Sequence, residues 1–205
     1  MSVRVKVCGI TRSEDAQVAI RLGADAIGFV FWPKSPRYVS PESARLITDN
    51  LPAFITTVGV YVDPDVAWVE ETSQTARLSL LQFHGDETPD FCNHFSLPYI
   101  KAVRVKADTD LLQYAQCYST ANGLLLDTYA TGMPGGTGER FDWRLIPPHL
   151  PLPMILSGGL NPENVEMAIR QTRPWAVDVS SGVEAAKGIK DEQKIYAFMQ
   201  GVKQL

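Results

Sequence analysis

A short β-branched run followed by a segment with helix-start chemistry recurs eight times along this chain. That alternation constrains the fold more than any other feature. The runs are Val3–Cys8, Ala26–Phe31, Thr56–Val62, Leu78–Phe83, Tyr99–Val103, Gly123–Asp127, Met154–Leu156 and Ala176–Ser180. Between them, Ser40-Pro41, Asp63-Pro64 and Asn161-Pro162 each place an N-cap oxygen before a proline suited to the first helical position. Thr11 with Glu14 has capping-box spacing, and Gly23 after Leu22 reads as a helix stop. Apolar residues at helical spacing follow in Ala16–Leu22, Ala44–Ile47, Val165–Ile169 and Ile195–Val202. Alternating β and α units imply a parallel sheet. Eight units in 205 residues leave about 26 residues each, which suits a compact (β/α)8 barrel near the lower size limit of that fold. The expectation is an α/β protein: one (β/α)8 TIM barrel over residues 1–205, with a doubly wound open sheet as the rival. The pattern is weakest in the sixth helical region, where the Gly-rich stretch Thr128–Arg140 precedes Phe141-Asp142-Trp143.

Composition narrows the function. The charge balance of 19 basic to 23 acidic residues gives −4, which argues against a nucleic-acid partner or an anionic membrane surface. Apolar runs fall short of a membrane span, and Met1–Val7 alternates charge and valine, unlike a signal peptide. Three cysteines, Cys8, Cys92 and Cys117, are too few for a disulfide framework. A soluble, reduced, cytoplasmic globular domain is expected, with no nucleic-acid or membrane partner.

In a (β/α)8 barrel the chemistry sits at the C-terminal ends of the strands. Side chains alternate along a strand, so Arg4, Lys6 and Cys8 share one face, and Leu125 shares another with Asp127. A thiol and a carboxylate then end strands one and six, nearly across the mouth from each other. Cys8 is either a small buried hydrophobe or a reactive thiol. Lys6, about 7 Å below it, either favours the thiolate or is a core lysine paired with another charge. Asp127 is either a helix N-cap or an acid. Cys92 and Cys117 fall in helical patterns and read as structural.

Ser157-Gly158-Gly159-Leu160 and Ser180-Ser181-Gly182-Val183 follow strands seven and eight. Glycines there let backbone amides approach an oxyanion, which is where such barrels hold phosphate. Gly132–Gly138 is not a P-loop, because no Gly-Lys-Ser/Thr follows; it reads as a mouth loop. His84, His94 and His149 are too scattered for a metal site, so no metal is expected. His84 ends strand four and either lines the pocket or is structural. Arg37, in the loop after strand two, is either an anion clamp or a solvated side chain.

These residues together resemble the phosphoribosylanthranilate isomerase family of tryptophan biosynthesis. The likeness is carried by Lys6-Val7-Cys8-Gly9-Ile10-Thr11, Gly28-Phe29-Val30-Phe31, Pro33-Lys34-Ser35-Pro36-Arg37-Tyr38 and Gln82-Phe83-His84-Gly85. It continues through Leu125-Leu126-Asp127-Thr128, Gly135-Gly136-Thr137-Gly138, Leu156–Val165 and Asp178–Glu184. The resemblance implies a barrel that performs an Amadori rearrangement on a small phosphorylated substrate, as a monomer or homodimer. It implies Cys8 as general base, Asp127 as general acid and Arg37 on the anthranilate carboxylate. Phosphate would lie on the backbone around Gly158, Gly159, Asp178 and Ser180, with Ser181 and His84 lining the site. Proton transfers suffice for such a reaction, so no cofactor is expected.

Overall fold

The structure is a computed structural model that describes residues 3–128 and 142–203. Eight parallel strands close into a barrel in chain order: β1 Arg4–Cys8, β2 Ala26–Val30, β3 Thr56–Tyr61, β4 Leu80–Phe83, β5 Tyr99–Val105, β6 Leu124–Thr128, β7 Met154–Leu156 and β8 Ala176–Val179. The expected (β/α)8 topology is present, and the open sheet is excluded by direct pairing of β1 with β8, Lys6 opposite Asp178. Helices α1 Ser13–Leu22, α2 Pro41–Thr48, α3 Val66–Thr75, α4 Pro89–Cys92, α5 Leu111–Cys117, α6 Val165–Thr172 and α7 Glu192–Lys203 lie between or after the strands. Between β6 and β7 the described residues hold a single 3₁₀ turn, Trp143–Leu145. The loop expected at Gly132–Gly138 lies outside the described residues.

Strand alternation sorts the core into two compartments. Val5, Val7, Phe29, Leu81, Leu126 and Val177 point outward and pack against the helices. Ile100, Ala102, Leu125, Ile155 and Ala176 point inward and fill the barrel. The inward residues that follow them along the strands are polar: Gln82, Arg104, Asp127, Ser157 and Asp178. The sequence therefore builds a barrel that is apolar below and polar at its C-terminal mouth.

Local chemistry explains some helix starts and corrects others. Ser40 caps α2, its Oγ accepting the Ser43 N–H at 3.2 Å with Pro41 as first helical residue, an arrangement worth about 1 kcal/mol. Gly23 ends α1 in the left-handed conformation. The Thr11–Glu14 capping box does not form, because the Thr11 hydroxyl donates to Gly188 O at 2.6 Å and Arg12 occupies the cap position. Asp63 is not a cap either: its carboxylate accepts the Asp86 N–H at 2.6 Å, and Asp65 caps α3 instead. Asn161 and Asn164 bond each other's backbone in a turn, which delays α6 to Val165. Among the described residues, no helix is long and apolar enough to cross a membrane.

Candidate active site

Cys8 is the last residue of β1 and points into the mouth. It stands beside Lys6, and both side chains lie over Gly28 of β2, in register with Cys8. A methyl group on Gly28 would sit 2.9 Å from Cys8 Sγ and 3.1 Å from Lys6 Cε. Glycine thus interrupts an otherwise bulky strand because the Cys8 and Lys6 side chains occupy the space above it. Lys6 Nζ pairs with Asp178 Oδ1 at 2.9 Å, and both residues are buried. Burial would weaken the charge on Lys6, but the Asp178 carboxylate reverses this and holds its pKa above the usual value. Burial raises the Cys8 thiol above its usual range, while Lys6 opposes that rise and Asp178 reinforces it. Both readings of Lys6 meet here: it is a buried lysine paired with Asp178 and it favours the thiolate, but desolvation of the thiol outweighs that support.

Asp127 ends the inward row of β6 and is 4% exposed. One carboxylate oxygen accepts the Thr128 N–H at 2.8 Å, and the other lies 3.1 Å from His84 Nε2. Polar groups thus touch both carboxylate oxygens, while Leu124 and Leu126 face the helices. His84 lies in the pocket wall, with its other nitrogen 2.9 Å from Gln82 Nε2. Arg104 of β5 is in register with Asp127 and pairs with Asp86 at 2.6 Å.

The loop after β2 folds back on its strand: Val39 N–H bonds Val30 O, and Arg37 N–H bonds Ser35 Oγ. The Arg37 guanidinium docks through Nε and Nη2 on both oxygens of Glu184, at 2.7 and 2.8 Å. Glu184 also accepts Lys190 Nζ at 3.0 Å, and that ammonium reaches Ser180 O at 3.1 Å. Burial would push the Glu184 carboxyl upward, but Arg37 and Lys190 more than offset it and hold it below the usual range. Burial moves Lys190 downward despite Glu184. Glu184 and Lys190 belong to a two-stranded hairpin, β9 Glu184–Ala186 and β10 Ile189–Lys190, directly after β8.

Gly158 and Gly159 both have positive φ, 82° and 64°, a turn that suits glycine and aims backbone amides outward. A methyl group on Gly158 would lie 3.0 Å from Asp127 Oδ1, so this loop is packed against the carboxylate. Ser157 Oγ donates to Asp178 at 3.4 Å. Ser180 precedes a 3₁₀ turn, Ser181–Val183, that carries the chain from β8 to the hairpin.

Cys8, His84, Asp127, Asp178 and the two glycine-containing loops thus converge on one mouth, with Arg37 at its rim. His94 and His149 are exposed; Cys92 is buried in α4, and Cys117 is exposed on α5. Gly28, Gln82, Arg104, Glu184 and Lys190 were not singled out from sequence. For Gln82 and Arg104 a signal existed, since each shares the inward face of its strand with Leu80 or Ala102. Glu184 and Lys190 find Arg37 across a long separation in the chain, which no local pattern reveals.

Residues 5–201 match the model of the family described as N-(5'-phosphoribosyl)anthranilate (PRA) isomerase. The chain is similar to N-(5'-phosphoribosyl)anthranilate isomerase of Nitrosospira multiformis, 68% identical over 202 residues that cover 98% of this chain and 97% of the relative. It superposes on the crystal structure of phosphoribosyl anthranilate isomerase from Thermotoga maritima with a TM-score of 0.90 at 44% identity, covering 99% and 100% of the two chains. A solved complex of phosphoribosyl anthranilate isomerase with reduced 1-(o-carboxyphenylamino)-1-deoxyribulose 5-phosphate matches with a TM-score of 0.86, also at 44% identity and with 99% and 100% coverage.

Proposed function

The chain belongs to the N-(5'-phosphoribosyl)anthranilate isomerase family, and from that premise we propose how its mouth converts this substrate to 1-(2-carboxyphenylamino)-1-deoxyribulose 5-phosphate in tryptophan biosynthesis. The reaction is an Amadori rearrangement, an internal transfer of oxidation state that proton transfers alone accomplish. The observation that carries the reading is the placement of Cys8 and Asp127 at the ends of β1 and β6, on opposite sides of one polar mouth.

The phosphate rests on the turn of Gly158 and Gly159 and on the segment Ser180–Ser181, where backbone amides and hydroxyls serve as donors. Arg37 receives the anthranilate carboxylate on the part of its guanidinium that Glu184 leaves unoccupied. His84 holds the side of the sugar that faces Asp127. Asp127 gives a proton to the ring oxygen as the C1–O bond breaks, and the nitrogen lone pair forms the C=N bond of an iminium. Cys8, as thiolate, removes the C2 proton; the C2–H electrons form C1=C2 and neutralise the nitrogen, giving an enolamine. Tautomerisation then moves the enol proton to C1 and leaves the C2 ketone. The iminium's positive charge arises beside Cys8 and adds to Lys6 in favouring the thiolate, which burial alone disfavours.

The test is turnover of N-(5'-phosphoribosyl)anthranilate, followed as loss of anthranilate-type fluorescence, for the parent chain, Cys8→Ser and Asp127→Asn. The parent should turn over, and each variant should lose about 10²–10⁴-fold in kcat with KM little changed. No turnover by the folded parent would remove the substrate assignment. Near-parental kcat in either variant would remove that residue from its role.

A further inference from the structure

Gln82 projects from β4 into the barrel between Val60 of β3 and Ile100 of β5, with which it is in register. It is 1% exposed, and its Oε1 has no hydrogen-bond partner among the described residues. A buried amide oxygen left unpaired is costly, so a glutamine flanked by Val60 and Ile100 calls for a reason. Its Nε2 lies 2.9 Å from His84 Nδ1, and His84 Nε2 lies 3.1 Å from Asp127 Oδ2. Amide, imidazole and carboxyl form one chain of hydrogen bonds that ends on the group proposed as the acid.

Donor and acceptor rules allow this chain two proton contents. With the amide nitrogen toward the ring, Nδ1 accepts, the neutral imidazole carries its proton on Nε2, and that proton is donated to an ionised Asp127. The pair then holds one proton, as it must after the substrate has been protonated. When a second proton is loaded it rests either on Asp127, donating to Nε2, or on the ring itself. In both cases Nδ1 carries a hydrogen and needs an acceptor. Only the amide oxygen can supply one, and it reaches the ring by an end-for-end turn of the side-chain amide. The orphaned oxygen is thus the acceptor held back for the loaded state.

We propose that Gln82 is a positioning residue whose amide reverses as the His84–Asp127 pair gains and loses the proton it delivers. The inference rests on the reading of Asp127 as the acid. Other charges facing the pair among the described residues are already matched. Arg104 of β5 pairs with Asp86, Lys6 of β1 with Asp178 of β8, and Lys101 of β5 with Glu87 beneath the loop that follows His84. Asp63, after β3, accepts the Asp86 N–H, and the Cys8 thiol faces the same mouth from β1.

The experiment compares Gln82→Glu and Gln82→Met with the parent in two measurements. One is kcat against pH at saturating substrate; the other is the nitrogen-15 NMR titration of the His84 ring in the free enzyme. An acid must be protonated to act, so kcat falls as pH rises past the loading midpoint. Methionine offers the Nδ1 hydrogen no oxygen, so the loaded state is lost at lower pH. Its kcat should fall about 10-fold near pH 8 and stay within about 3-fold of the parent on the acid plateau, with KM unchanged. Glutamate offers a stronger acceptor and should move the fall to higher pH. The NMR midpoint should move downward in Gln82→Met and upward in Gln82→Glu. Midpoints that stay put, or move in the same direction in both variants, overturn the proposal. Opposite NMR shifts with no change in the kcat profile would uphold the coupling and refute Asp127 as the acid. Should Gln82→Met fail to fold, the nearly isosteric Gln82→Glu decides the matter against the parent alone.

Discussion

Replacing Gly28 with alanine adds one methyl group to the inner face of β2, where the space is already taken. The new carbon would lie 2.9 Å from Cys8 Sγ, 3.1 Å from Lys6 Cε and 3.2 Å from Lys6 Nζ. Non-bonded heavy atoms settle at about 3.5–4.0 Å, so something must withdraw by about 0.6–1.1 Å. Lys6 is pinned by its 2.9 Å bond to Asp178, so the thiol is the group that yields. A reacting group displaced by about 1 Å can lose on the order of 10²-fold in rate; we therefore expect kcat to fall about 10–100-fold while KM holds. Overpacking costs about 1–3 kcal/mol, and loss of glycine's freedom in the unfolded chain returns about 0.4–1 kcal/mol. The net cost, about 0–2.6 kcal/mol, should lower Tm by no more than about 10 °C. Fluorescence-monitored turnover and a thermal melt read both quantities. A double-mutant cycle with Cys8→Ser isolates the cause: if the methyl group acts through the thiol, Gly28→Ala should cost little more once the sulfur is gone. A folded Gly28→Ala within about 3-fold of parental kcat, or equal losses in the presence and absence of the sulfur, would refute the reasoning.

Because burial raises the Cys8 thiol, alkylation by iodoacetamide should be slow near pH 7 and keep accelerating past the ordinary thiol range at about 8.5, with bound product protecting; a plateau already reached at about pH 7.5 would contradict this. Arg37→Ala should lower kcat/KM by about 2 kcal/mol or more, roughly 30-fold, in a folded protein, since Glu184 keeps its bond to Lys190. A substrate analogue lacking the carboxylate should then cost this variant far less than the parent, and equal penalties would show that Arg37 does not read that group. Gly159→Val places a β-branched residue at a φ of 64° in the loop proposed for phosphate; KM should rise more than about 10-fold and inhibition by inorganic phosphate should weaken. An unchanged KM in the folded variant would move the phosphate elsewhere.

The barrel was legible because its signals are local. Eight β-branched runs with period-2 alternation place Cys8, Asp127 and His84 at inward strand ends before any contact is known. The failures share one cause, the spending of a local group on a distant partner. Thr11 gives its hydroxyl to Gly188, and Asp63 gives its carboxylate to Asp86; both lose the helix caps their spacing suggested. The same applies to the site. A lysine two residues before a cysteine reads as thiolate support or as a core lysine paired with another charge; only the neighbouring strand, with Asp178, shows that it is both, and burial then sets the direction of the thiol's shift. Arg37 read as a free anion clamp is in fact fixed on one edge by Glu184, a partner 147 residues away. Polar pairs between distant segments leave no periodic trace, so Glu184 and Lys190 emerged only from the fold, whereas strand alternation already placed Gln82 and Arg104 on the inward face.

The pairing of β1 with β8, Lys6 against Asp178, also says something about when this protein comes alive. The residue proposed as base leaves the ribosome well before the strand that steadies it and leads to the Ser180–Ser181 turn. A nascent chain that stops short of β8 holds the thiol but has nothing to close against. Competence and closure are therefore a single event. During refolding, the return of turnover should trail the return of helical signal by the time needed to zip that last seam.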